Sequence, residues 1–197
     1  MKLLCLGDSL TYGYDVRPQE RWTTLVSNRS TIEIDNKGQC GDTTAGMVFR
    51  LHQLDLIGYD AFFVMGGSND ILLDKDFSAV CRNMESLVSL LKSQEEPVYI
   101  GIPPLTKSES AYYGWQEAGA VHRHNEILRR YRQCSWTIVR TWTVRSSTFI
   151  RLCWMAKRHP GNLSTPTAFI PMPKLRLFCR SGTEGAGGKG LIPHFLS

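Results

Sequence analysis

The chain has no apolar run approaching the length of a membrane span, and its six cysteines include no Cys-x-x-Cys pair. It also has no charged lead followed by a long apolar stretch and a small-residue cleavage site. The first absence argues against a membrane-spanning helix. The second argues against a zinc site or a disulfide framework, so reduced thiols are expected. The third predicts a protein that is not exported and works in the cytoplasm. Carboxylates are scarce at one end only. The 23 Lys+Arg and 18 Asp+Glu split as 14 and 17 over residues 1–132, and as 9 and 1 over residues 133–197, where Glu184 is the lone acid. The net charge of +5 therefore describes the tail and not the body. Nucleic-acid binding is not expected, because the tail lacks the aromatic, periodic or motif context that would support it.

What is present suits one domain, since 197 residues can bury a substantial core without staples. Lys2 to Leu6 is an apolar run stopping at Gly7, the pattern of a buried strand, and Ser9 follows at once. Pro18 to Ser27 predicts a helix with Trp22 and Leu25 inward. Thr31 to Asp35 alternates as a strand does, and Asp42, Thr43 or Thr44 is placed to cap a helix from Ala45 to Leu56. Tyr59–Met65 and Val98–Ile102 predict two more buried strands. Phe77–Lys92 carries apolar residues at helical spacing, and Trp115–Arg132 predicts a long final helix. Strands alternating with helices imply an α/β fold, a parallel sheet covered on both faces.

Three loops, each after a predicted strand, present Ser9, Gly41 and Asn69. In an open parallel sheet these strand ends share one edge, so the three can converge. Gly, Asp and Ser also favour plain turns, the bland alternative. Their chemistry is nonetheless complementary. Ester cleavage needs a nucleophilic oxygen and donors for the oxyanion that develops on the attacked carbonyl. Ser9 offers a hydroxyl and an N–H, Gly41 an N–H that no Cβ obstructs, and Asn69 a neutral amide donor.

Gly7-Asp8-Ser9-Leu10, Gly38-Gln39-Cys40-Gly41-Asp42-Thr43 and Gly67-Ser68-Asn69-Asp70 resemble, in order and separation, three signature blocks of the GDSL (SGNH) hydrolases. The resemblance covers residues 1 to about 132. It implies a flavodoxin-like three-layer α/β/α sandwich with a central parallel sheet, and hydrolysis of small-molecule esters or thioesters without metal or organic cofactor. It also implies Ser9 as nucleophile and Ser9 N–H, Gly41 N–H and the Asn69 side chain as oxyanion hole. Asp8 and Asp70 would hold the loops.

The family completes this machinery with a C-terminal Asp-x-x-His, which this chain lacks. Ala156 stands three before His159, and Leu191 three before His194. His52, His122 and His124 lie on predicted helices, as surface or packing residues. Residues 133–197 crowd Arg, Ser, Thr, Pro, Cys and Trp without periodicity, as out-of-frame translation does. Triplets begun at the third base across Pro166–Lys174 permit Asp-Gly-Ile-His-Pro-Asn-Ala-Glu, and across Gln133–Ile138 permit Val-Phe-Val-Asp. The expected organisation is a hydrolase domain over 1–132 followed by a basic tail that replaces its end through a frameshift near residues 131–133. Impaired catalysis is the consequence. A genuine diverged tail, with a non-catalytic binding module using the oxyanion pocket, is the alternative.

Overall fold

The computed structural model describes residues 1–142. Four strands, β1 (Lys2–Gly7), β2 (Glu33–Gly38), β3 (Ala61–Met65) and β4 (Val98–Ile100), form a parallel sheet in the order β2-β1-β3-β4. Side chains alternate across a strand, so β1 and β3, apolar at both parities, need cover on both faces. Leu4, Leu6, Phe62 and Val64 enter one core; Leu3, Cys5, Ala61, Phe63 and Met65 enter another. The first core is closed by α3 (Thr44–Leu51), α5 (Phe77–Lys92) and α7 (Val121–Trp142), through Met47, Met84, Leu87, Leu128 and Tyr131. The second is closed by α2 (Trp22–Arg29), whose Trp22 ring meets Phe63 edge-on at 5.4 Å. The result is the three-layer α/β arrangement the sequence predicts.

Several boundaries differ from expectation. Pro18–Glu20 forms a separate 3-10 turn, because Arg21 is extended (φ −61°, ψ 139°) and restarts the chain as α2. Trp22 is buried as expected, but Leu25 is only half-buried, and Thr23 takes the second inward place. β2 begins two residues late, at Glu33. α3 stops at Leu51, and Leu54 packs on the core from the turn beyond. Thr43 is its cap, its side chain accepting from the Gly46 N–H. α5 matches its expected span, capped by Asp76. The final helix starts six residues late, after a 3-10 turn at Ala118–Ala120, and passes Arg132 without interruption. The cysteines depart too: Cys81 on α5 and Cys134 on α7 are joined, while Cys5 and Cys40 are free thiols. No helix among the described residues is long and apolar enough to cross a membrane.

Candidate active site

Gly7, Gly38 and Met65 stand abreast where β1 pairs with β2 and β3. The loops leaving them carry the three candidate residues from one edge of the sheet. Ser9 opens the short helix α1 (Ser9–Tyr12) and is half-buried. Gly41 is exposed in the turn before α3. Asn69 lies in the first turn of α4 (Ser68–Leu72), also half-buried.

Hydrogen bonds fasten the loops to one another. Asp8, fully buried, caps α1 by accepting from the Leu10 N–H at 2.9 Å, and its second oxygen accepts from Ser68 Oγ at 2.8 Å. The first loop is thus tied to the third. Asn69 Nδ2 donates to the Asp42 carbonyl at 2.8 Å, tying the third to the second. Asp70 accepts from the Thr44 N–H at 2.8 Å and Thr44 Oγ1 at 2.9 Å, and Asn83 Nδ2 donates to that hydroxyl at 3.1 Å. Asp8 and Asp70 thus bind neighbouring loops, as the sequence leads one to expect.

Arg50 was not legible in the sequence. From α3 it donates to Asp42 through Nε at 2.8 Å and Nη2 at 2.5 Å, to the Lys37 carbonyl at 2.9 Å and to the Gly7 carbonyl at 3.1 Å. It clasps the ends of β1 and β2 together with the loop that holds Gly41. The bonds of Thr44, Ser68 and Asn83 were not legible either, since each acts on a partner at least 26 positions away.

The backbone at Gly41 adds a second reason for glycine. Its φ is +77°, a conformation L side chains avoid, and a Cβ there would meet nothing within 4 Å. The backbone shape demands glycine, and the space before it is open. At Gly67, φ is +97° and a Cβ would lie 2.7 Å from the Tyr131 ring. α7 therefore presses directly under the turn that presents Asn69.

Burial raises the Asp8 carboxyl to about 6, against the hydrogen bonds from Ser68 and Leu10 and with a smaller push from Asp42 and Asp70. No histidine among the described residues is hydrogen-bonded to Ser9. His52 and His122 are exposed. His124 is buried, with Nδ1 donating to Gln116 Oε1 at 2.6 Å and Nε2 facing Asp74 at 3.2 Å. His159 and His194 lie outside the described residues. Among the described residues no cluster of three His, Cys, Asp or Glu is arranged to hold a metal.

Residues 5–160 match the model of the GDSL-like Lipase/Acylhydrolase family. The chain belongs to that family. The match continues past Arg132, where the resemblance read from the sequence ends, and takes in His159 and Pro160. An arylesterase of Vibrio mimicus is 31% identical over 112 residues, covering 52% of this chain and 56% of that protein. The chain thus spans little more than half the length of that curated relative. Among solved structures, a member of the lipolytic protein G-D-S-L family from Veillonella parvula is 28% identical. Its TM-score is 0.51, over 68% of this chain and 73% of that one. Another lipolytic protein of the G-D-S-L family, from Desulfitobacterium hafniense, is 16% identical. It shares the fold with a TM-score of 0.59 over 71% and 72% of the two chains. GDSL members thus pair family-level ester hydrolysis with the α/β fold found here.

Proposed function

We propose that the chain is a serine hydrolase of carboxylic esters or thioesters. Ser9 Oγ attacks the acyl carbon, and the carbonyl oxygen, now anionic, accepts from the N–H groups of Ser9 and Gly41 and from Asn69 Nδ2. The alcohol or thiol leaves carrying the proton that Ser9 gave up. Water then splits the acyl-enzyme, releasing the acid and restoring the Ser9 hydroxyl. The mutual fastening of the three loops carries this reading, because it ties the segments that bear Ser9, Gly41 and Asn69 to one another at one edge of the sheet. The arylesterase relative supports the ester class.

The Ser9 proton needs an acceptor, which the family supplies from its Asp-x-x-His block. We take catalysis to be impaired by loss of the Asp-x-x-His block, through a frameshift near residues 131–133. β4 supports this: among the described residues it pairs only with β3, which leaves an edge for the Val-Phe-Val-Asp strand that the shifted frame permits. The opposing reading is a genuine tail on a binding module. It is favoured by α7 continuing through 133–142 with Ser135, Ile138 and Val139 buried. Cytoplasmic residence belongs to the proposal as well.

Labelling by a fluorophosphonate tests the central reading. The full chain should form a slow adduct that Ser9→Ala abolishes. No adduct, or one that survives the substitution, would leave the pocket-only protein.

A further inference from the structure

Two helices close on the turn that delivers Asn69. A Cβ added to Gly66 would lie 2.4 Å from Met47 Sδ, on α3. A Cβ added to Gly67 would lie 2.7 Å from Tyr131 Cζ and 2.9 Å from the hydroxyl oxygen, on α7. Side-chain carbons do not approach so closely, so Met47 and Tyr131 fill the places that side chains of the turn would take. Both are fully buried in one core. Gly67 is also where α4 begins. Its carbonyl accepts from the Ile71 N–H at 3.2 Å, and its φ of +97° sets the direction in which the helix leaves. Asn69 stands two residues on. At five residues α4 is too short to hold its own line. Any shift of Gly67 therefore passes to the Asn69 amide and to its 2.8 Å bond with the Asp42 carbonyl.

Of the two walls, Tyr131 is the rigid one. Met47 is an unbranched thioether that adapts to its surroundings, whereas an aromatic ring keeps its shape. Among the described residues the Tyr131 hydroxyl has no hydrogen-bond partner. Burial, with the Asp70 and Asp8 charges adding to it, pushes the phenol well above its usual range, so it stays neutral. A hydroxyl that neither bonds nor ionises is no tether and no acid or base. The volume of the ring is what α7 brings to the turn. The helix itself is anchored near its start. Asn125 Nδ2 donates to the Thr106 carbonyl at 2.9 Å, and His124 Nδ1 to Gln116 in the loop after α6 (Glu109–Tyr112).

We infer that Tyr131 is a positioning residue for acyl transfer: its ring backs the Gly67 turn and so fixes the Asn69 amide that receives the oxyanion. The inference rests on the hydrolase reading above, and a second measurement keeps their failures apart. Fluorophosphonate labelling of Ser9 should slow about tenfold or more in Tyr131→Leu, since misplacing a group by about 1 Å costs up to about 10²-fold. Tyr131→Phe keeps the ring and loses only the unbonded hydroxyl, and should label within about twofold of the parent. In an Asn69→Ala background Tyr131→Leu should cost nothing further, because the group it positions is gone. Tyr131→Met, longer and flexible, stands in where circular dichroism shows Tyr131→Leu unfolded, with the same direction of change. A folded variant that labels as fast as the parent, or a loss repeated in full without Asn69, overturns the inference. The second measurement needs no chemistry. Exchange of the Asn69 side-chain amide protons, followed by NMR, should quicken in Tyr131→Leu and not in Tyr131→Phe. No labelling of the parent, with that exchange pattern present, removes the hydrolase and keeps Tyr131 as the support of Asn69. Labelling of the parent, with exchange unchanged by Tyr131→Leu, does the reverse.

Discussion

At the scale of single residues, Asn69 and Asp8 offer the sharpest expectations. If Asn69 Nδ2 receives the oxyanion, Asn69→Ala should slow acyl transfer by about 10²–10³-fold, the cost of one such donor. Circular dichroism should show the fold retained, because Asp70 and Ser68 still fasten α4. Asp8 carries a pH dependence. Its folded value, about 6, lies above the ordinary 3.8, so the folded chain binds more protons than the unfolded chain between those limits. Asp8's contribution is fully present below pH 4 and is lost as pH rises through 6. Asp8→Asn cannot ionise and escapes that loss. Urea unfolding should therefore show the variant gaining on the parent by about 2 kcal/mol between pH 4 and pH 7. A difference that stays flat with pH would mean that Asp8 is not held in a desolvated site.

At the scale of elements, Arg50 is the clasp to break. Removing it leaves Asp42 nearly buried without its cation and frees two backbone carbonyls. Arg50→Ala should destabilise the chain by about 3 kcal/mol, read as a lowered urea midpoint, and should slow Ser9 labelling as the Gly41 loop loosens. This scale also shows what a sequence exposes and what it hides. α5 was legible because Val80, Met84, Leu87 and Leu91 repeat at helical spacing. β1 and β3 were legible as unbroken apolar runs. The start of α7 was not, because Trp115 has the composition of a core residue and yet stands 54% exposed in an aromatic row. Pro18 announces a helix, but nothing local reveals that Arg21 is extended. Ser9, Gly41 and Asn69 were visible because each closes a strand with a distinctive block. Arg50 was hidden because its partners are two backbone carbonyls and an aspartate that only the folded chain brings near.

At the scale of the whole molecule, the gene itself decides between the two accounts of the C-terminal region. Sequencing from the codon for Asn125 onward should reveal one inserted or deleted base whose correction yields an Asp-x-x-His block. The corrected chain should then hydrolyse p-nitrophenyl acetate many-fold faster than this one. If no shifted frame yields that block, the tail is genuine, and His159 becomes the candidate base to replace. Deleting residues 143–197 should in either case remove no sequence-specific nucleic-acid binding in a filter-binding assay, since basic charge without a recognition motif gives only salt-sensitive, non-specific association.

The strand order also has a consequence in time. β1 is synthesised before the other three described strands, yet it sits inside the sheet with neighbours on both sides. Its first partner, β2, begins at Glu33, and its second, β3, at Ala61. At roughly 5–20 residues per second, Leu3 to Leu6 wait several seconds for the strand that completes their burial. During that interval the nascent chain presents its most apolar segment with no mate on one side. A chaperone that grips short apolar stretches would meet this protein at β1, before the loop that bears Ser9 has anything to face.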